Sequence, residues 1–262
     1  LAKRLCDKKK DPEWQDLSNG FIHFDDLDLE KHMRPCKMGD AWTILEDDVD
    51  DSYIITPEQE RMIFAWDEFR RETNIKVIGF PLWLDSFGLG IDDDKTVFDA
   101  QGYNDMPKWK KRFLENNRKF YLEHRAFIDM WVEKYDMTNK IKLFKKFEWN
   151  CGTDVDDIKN CLIQIRQSGI RAKRPTYYPS LVAIVNTPII WDEKKGHFRK
   201  ITPREAANLQ SFHASYKFQG TDAIIYKQLG NSVNVRILKI LGESLFSLAN
   251  DGWKVDTDGS QV

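Results

Sequence analysis

The sequence predicts a mixed α/β protein in which helices and short strands surround an aromatic core, and three observations carry that expectation. Hydrophobic residues make up 41% of the 262 positions and aromatics 13%, the composition of a chain that folds. Two helix starts are written out as capping boxes, Thr56-Pro57-Glu58-Gln59 and Thr202-Pro203-Arg204-Glu205, each with a proline in the first turn. Between them, residues 158–190 change to short alternating or apolar runs punctuated by Gly169, Pro175 and Pro179, the pattern of strands and turns.

Residues 1–55 are polar and acidic, with few periodic segments, and read as loops and short elements. From Thr56, the residues Met62, Ile63, Trp66 and Phe69 follow at helical spacing. Residues 75–90 look extended, interrupted by Gly79, Pro81 and Gly88. One long helix is expected from Pro107 to about Tyr135, with Trp109, Phe113, Phe120, Phe127, Trp131 and Tyr135 as a stripe facing the core. Its Lys108, Lys110, Lys111, Arg112, Arg118 and Lys119 suit a solvated helix face as well as a nucleic-acid contact. Cys161–Arg166 and Leu181–Val185 read as strands.

In the second capping box, Thr202 caps the amide of Glu205, Pro203 fills the first turn, and Glu205 reaches back. Ala206, Ala207, Leu209 and Phe212 then give a small apolar face for close packing. Gln228-Leu229-Gly230-Asn231-Ser232-Val233 reads as a turn leading into an apolar helix through Val235, Ile237, Leu238, Ile240, Leu241, Leu245 and Phe246. The helix start after Gly230 is either capped by its own Asn231 and Ser232 or presents donors to a ligand.

Net charge is −2, which taken whole argues against a nucleic-acid binder, but the charges are segregated. Between Lys159 and Arg204 ten basic residues face only Asp192 and Glu193. A local basic surface binds phosphates whatever the net charge. Within that stretch, Gln164, Arg166, Ser168, Arg171, Lys173 and Arg174 are the candidates for contacting DNA, arginine suiting guanine edges and phosphates and glutamine suiting adenine. Cys6, Cys36, Cys151 and Cys161 have no paired spacing and the five histidines are scattered, so no zinc site, disulfide framework or other metal site is expected. No apolar run has the length of a membrane span and the N-terminus is too polar for a signal peptide, so a cytoplasmic setting is expected. The chain opens at Leu1, as a piece of a longer polypeptide would.

Residues 199–212 and 226–235 together resemble the last two conserved blocks of the DNA cytosine-5 methyltransferases. Pro107–Tyr121, Phe127–Trp131, Lys146–Trp149 and Ser168–Pro175 extend the resemblance, in the family's order, to one bacterial and phage branch and to roughly residues 55–248. The sequence departs from the family pattern at Gln167, Asn208 and His213. The resemblance implies a C-terminal part of such an enzyme. Residues 1–198 would be a small target-recognition region of helices and short strands. Residues 199–250 would be the returning segment that completes a Rossmann-like, S-adenosylmethionine-dependent methyltransferase lobe, and 251–262 a tail. It further implies double-stranded DNA as partner, a bracing role for Thr202, Pro203, Arg204 and Glu205, and an S-adenosylmethionine wall at Asn231, Ser232 and Val233.

The family's catalytic blocks are not found here. Phe87-Gly-Leu-Gly90 and Pro35-Cys36-Lys37 imitate two of them, but neither has the expected strand context, and nothing near Cys36 would lower a thiol pKa. No catalytic residue is therefore assigned, and the catalytic lobe is expected on an N-terminal portion or a separate subunit. The alternative reading is a non-enzymatic DNA-binding protein or recognition subunit derived from the same family.

Overall fold

The computed structural model describes residues 34–75, 80–89, 103, 105–181 and 187–250. The chain forms two compact units, one of Cys36–Ser232 and the other of Leu1–Pro35 with Val233–Val262. The first has the mixed α/β architecture that the sequence predicts. Its sheet comprises β1 (Leu82–Trp83), β2 (Lys146–Asn150), β3 (Leu162–Arg166), β4 (Gly169–Lys173), β5 (Ile189–Asp192) and β6 (His197–Lys200), in the order β1-β2-β4-β3-β5-β6. β2 and β4 are parallel and every other neighbouring pair is antiparallel.

The first capping box forms as expected at the start of α1 (Pro57–Glu72). Gln59 N donates to Thr56 Oγ1 at 3.2 Å and Thr56 N donates to Gln59 Oε1 at 3.1 Å. Met62, Ile63, Trp66 and Phe69 are all fully buried. Trp66 stacks flat on Phe147 of β2, with centroids 5.2 Å apart and planes 5° apart, and its Nε1 donates to Phe144 O at 2.8 Å. The inner side of the sheet is therefore an aromatic core in which the Trp66 indole N–H has found a carbonyl partner.

The long helix expected over 107–135 is two helices, α2 (Lys108–Glu123) and α3 (Arg125–Lys134), broken at His124, whose φ of −121° and ψ of 20° leave the helical region. Beyond the break Ile128 and Trp131 are fully buried, with Trp131 Nε1 donating to Ala65 O at 2.9 Å, while Trp109, expected to face the core, is 72% exposed at the far end. Arg118, expected on a basic outer face, is buried instead, its Nη1 donating to Phe87 O at 3.1 Å and Gly88 O at 2.8 Å. The described part of the Phe-Gly-Leu-Gly segment thus has a structural use: the Phe87 ring is in the core and its backbone carbonyls anchor Arg118.

Within residues 75–90 the extended expectation holds only for β1, which runs into a 3-10 turn at Leu84–Ser86; residues 76–79 and Gly90 lie outside the described residues. Of the strand expected at 181–185, all but Leu181 lies outside them too. The cysteines bring a further difference. Loop 151–161 carries the chain from the end of β2 across the end of β4 to the start of β3, and so sets Cys151 Sγ 3.2 Å from Cys161 Sγ, both fully buried free thiols. Sequence spacing could not show this, because the crossing depends on the strand order.

α4 (Pro203–Leu209) opens on the second capping box, and a buried charge cluster is assembled around it. Glu205 is fully buried and Arg199 is 2% exposed. Arg199 donates Nη1 to Glu205 Oε2 and Nη2 to Glu205 Oε1, both at 2.8 Å, and Nε to Asp192 Oδ2 at 2.7 Å. Glu205 also accepts from Thr202 N at 2.7 Å and Glu46 N at 2.9 Å, while Thr202 Oγ1 donates to Glu46 Oε2 at 2.6 Å. Burial acts to raise the Asp192 carboxyl, but the Arg199 hydrogen bond and the Lys194 and Lys195 amides outweigh it and hold it below the ordinary carboxylate range. Arg204 points away from this cluster and donates Nη2 to Tyr216 O at 2.5 Å. Two departures from the family pattern are also used: Asn208 Nδ2 donates to Ile44 O at 3.1 Å, and His213 Nδ1 pairs with Ser215 Oγ at 2.7 Å.

α5 (Asp222–Asn231) closes this unit. Gln228–Asn231 is its last turn rather than an open loop, and Ser232 caps it, Oγ donating to Leu229 O at 2.7 Å. In the other unit the described element is α6 (Val235–Asn250), whose start is capped by Asn234 Oδ1, accepting from Ile237 N at 3.2 Å. Ile237 and Leu238 are each 53% exposed and Phe246 is 74% exposed.

Candidate nucleic-acid interface

Strand alternation divides the residues of β2, β4 and β3 between two faces. Phe147, Trp149, Ile170, Ala172, Ile163 and Ile165 point into the aromatic core. The other face carries Lys146, Glu148 and Asn150, then Gly169, Arg171 and Lys173, then Leu162, Gln164 and Arg166. Register sets them in rows: Lys146, Gly169 and Arg166; then Glu148, Arg171 and Gln164; then Asn150, Lys173 and Leu162. Pairing of β3 with β4 thus brings together four of the six expected DNA contacts. The remaining two lie at the ends: Ser168 is exposed at the hairpin tip, and Arg174 follows β4.

The turn that joins β3 to β4 depends on Gly169. Its φ is +127°, and a Cβ there would lie 2.7 Å from both the Cβ and the carbonyl oxygen of Lys146. β4 packs against β2 at a distance that only glycine allows. Replacing Gly169 with alanine is expected to cost about 2 kcal/mol through backbone strain and a displaced strand. Urea denaturation followed by circular dichroism checks this, and an unchanged midpoint would refute the close approach.

Glu148 is the one carboxylate in these rows and was not among the residues expected from sequence. Its Oε2 accepts from Arg171 Nε at 2.7 Å and lies 2.6 Å from Arg171 Nη2. Its Oε1 lies 2.9 Å from Arg166 Nη2 and 3.6 Å from Lys146 Nζ. Alternation in Lys-Phe-Glu-Trp-Asn could have put Glu148 opposite the core, but not beside Arg171, since that rests on the parallel pairing of β2 with β4. Lys173 Nζ sits 3.6 Å over the Tyr177 ring, and burial, then Arg171, lower its pKa. Arg174 is tied down, its Nε donating to Cys151 O at 2.8 Å and its Nη2 paired with Asp154. Gln164 is 8% exposed, so its amide is largely covered.

Partial burial acts to raise the Glu148 carboxyl, but the Arg171 hydrogen bond and the charges of Arg166, Arg171 and Lys146 outweigh it, and its pKa is lowered. A carboxylate whose folded value is depressed contributes stability that is fully present above its unfolded value, about 4.3, and is lost as pH falls through the folded value. Glu148→Gln is therefore expected to flatten the decline in stability below about pH 4.5. Urea midpoints measured from pH 7 to pH 3 test this; identical slopes for the two proteins would refute it.

Of the expected cofactor-wall residues, Asn231 is exposed at the end of α5, Ser232 spends its hydroxyl on the helix cap, and Val233 is 57% exposed. A depression of about 280 Å³ is lined by other residues, among them Trp42, Glu46, Lys159, Trp191 and Asp192. Among the described residues, no group of three or more His, Cys, Asp or Glu could hold a metal ion, and no helix is long and apolar enough to cross a membrane.

The mixed sheet of this α/β protein thus gathers Lys146, Arg166, Arg171 and Lys173 around Glu148 on the face opposite the aromatic core. The chain belongs to the C-5 cytosine-specific DNA methylase family, whose model matches residues 53–247. It is similar to the type II methyltransferase M.AluI of Cellulosimicrobium cellulans, at 30% identity over 226 aligned residues that cover 71% of this chain and 42% of that protein. Shorter stretches are similar to M.HgiCI of Herpetosiphon aurantiacus, at 43% over 56 residues (21% of this chain, 13% of that protein), and to M.HpaII of Haemophilus parainfluenzae, at 49% over 47 residues (18% and 13%). The chain thus spans less than half the length of these curated relatives. No solved structure matches it.

Proposed function

We propose that this chain is the C-terminal portion of a DNA (cytosine-5-)-methyltransferase of the restriction-modification type. Residues 1–198 serve as its target-recognition region, and residues 199–250 return to complete the methyltransferase lobe. The observation that carries the reading is the family match across residues 53–247, which includes the basic β3–β4 hairpin and the Arg199–Glu205 cluster. Arg166, Ser168, Arg171, Lys173 and Arg174, with Gln164 behind them, position duplex DNA. Thr202, Pro203, Arg204 and Glu205 hold the recognition region in place.

In this reading a cysteine thiolate that adds to cytosine C6 belongs to the N-terminal lobe, on the same polypeptide or a separate subunit, and acts on a flipped-out base. S-adenosylmethionine, when bound, supplies the methyl group for C5. Asn231, Ser232 and Val233 form one wall of its site, in keeping with their open placement. The exposed Ile237, Leu238 and Phe246 of α6 support a helix that has its partner in that lobe.

Transfer of label from S-adenosylmethionine to mixed-sequence DNA tests the reading, with and without the N-terminal lobe supplied in trans. Methylation is expected only with the lobe present. DNA binding without methylation, even with a folded lobe added, would favour a non-enzymatic recognition protein.

A further inference from the structure

The two arginines that meet Glu148 are held differently. Arg171 is fixed, its Nε hydrogen-bonded to Oε2 and its Nη2 paired with the same oxygen. Arg166 only touches: its Nη2 is 2.9 Å from Oε1, yet neither its Nε nor that Nη2 makes a hydrogen bond, although both atoms are buried. A buried guanidinium that meets a carboxylate without aligned hydrogen bonds is incompletely satisfied, and an outside acceptor would complete its bonding. Arg166 also sits at the very end of β3, next to the exposed tip residues Gln167 and Ser168. The residue between it and Lys146 in register is Gly169, which has no side chain to obstruct its path to Glu148.

We propose that Glu148 is a positioning residue for sequence reading. It clamps Arg171 in place and tethers Arg166 with its donors unspent, until the paired acceptors of a guanine edge draw the Arg166 fork away. The planar fork matches the two coplanar acceptors O6 and N7 on the guanine edge. The tether also works against indiscriminate binding, because a phosphate must compete with a carboxylate already in place. This inference rests on the DNA-reading role proposed above.

The test selects duplexes from a fully randomised pool with the full chain and sequences what is retained, alongside the salt dependence of binding to the unselected pool. The wild-type chain is expected to enrich a motif that contains a G·C pair. Glu148→Gln should bind the unselected pool more tightly, with a slope of log affinity against log salt steeper by about one, and lose enrichment at that pair by at least about tenfold. Arg166→Lys should lose the same pair and keep the wild-type slope. Glu148→Asp, with its carboxylate on a shorter arm, should lose the pair without gaining pool affinity, which guards against a misfolded Gln variant. Full retention of the motif by Glu148→Gln would overturn the inference, and so would a uniform loss at every position by Arg166→Lys, the mark of a phosphate contact. A wild-type chain with no salt-dependent affinity for any duplex would overturn the DNA-reading role and this inference together, whereas the variant results bear on Glu148 and Arg166 alone.

Discussion

Glu205→Ala is expected to destabilise the Cys36–Ser232 unit by about 3–5 kcal/mol, the range for removing one partner of a buried ion pair. The side chain is fully buried and accepts from four donors: both terminal nitrogens of Arg199 and the amides of Thr202 and Glu46. Truncation leaves the 2%-exposed Arg199 guanidinium with only Asp192 and the Lys200 carbonyl, and strips two backbone amides of their acceptor. Glu205→Gln keeps the shape and one acceptor oxygen but not the charge, so its cost should be smaller, about 2 kcal/mol. Urea denaturation followed by far-ultraviolet circular dichroism measures both. A loss under about 1 kcal/mol for the alanine variant would mean that water reaches Arg199 and that the cluster is not the brace its burial implies.

Trp66→Ala should be comparably damaging, again by about 3–5 kcal/mol, and should also weaken DNA binding. Trp66 is fully buried against Phe147, Trp131 and Phe69, with ring centroids 4.8–5.2 Å away. Phe147 precedes Glu148 on β2, so the cavity left by the indole lies directly behind the strand that positions Arg166 and Arg171. Trp66→Phe retains most of the apolar volume but leaves the Phe144 carbonyl without its 2.8 Å donor, and should cost about 1–2 kcal/mol. Thermal unfolding gives the stability change, and a salt titration of DNA binding shows whether the loss reaches the outer face. Binding unaltered at a temperature where the variant stays folded would separate the core from the basic face.

The separation of those two faces explains why part of the site was legible in the sequence. The capping boxes at Thr56 and Thr202 form as read, since a cap is decided within four residues by local hydrogen bonding. The β3–β4 hairpin was legible only in its first strand, Cys161–Arg166, whereas the two-residue turn and the register that set Arg166 and Arg171 on one face came from the pairing of β3 with β4. Where the reading failed, the deciding contact was distant. Helices α2 and α3 part at His124, beyond which Trp131 bonds to Ala65, and Arg118 leaves the solvated face where Phe87 and Gly88 present carbonyls to it.

By itself, then, the sequence determined the mixed α/β class, the helix starts at Thr56 and Thr202, the basic stretch around Arg166–Arg174 and, through blocks kept in a characteristic order, the methylase family. Only the tertiary structure decided that β2 lies parallel to β4, and three features depend on that placement: Glu148 beside Arg171, the need for glycine at 169, and the thiols of Cys151 and Cys161 in contact across the end of the sheet. Caps, turns and alternation are settled by neighbours a few residues apart, whereas strand order is settled by which apolar faces bury one another, and no short stretch of chain contains that choice.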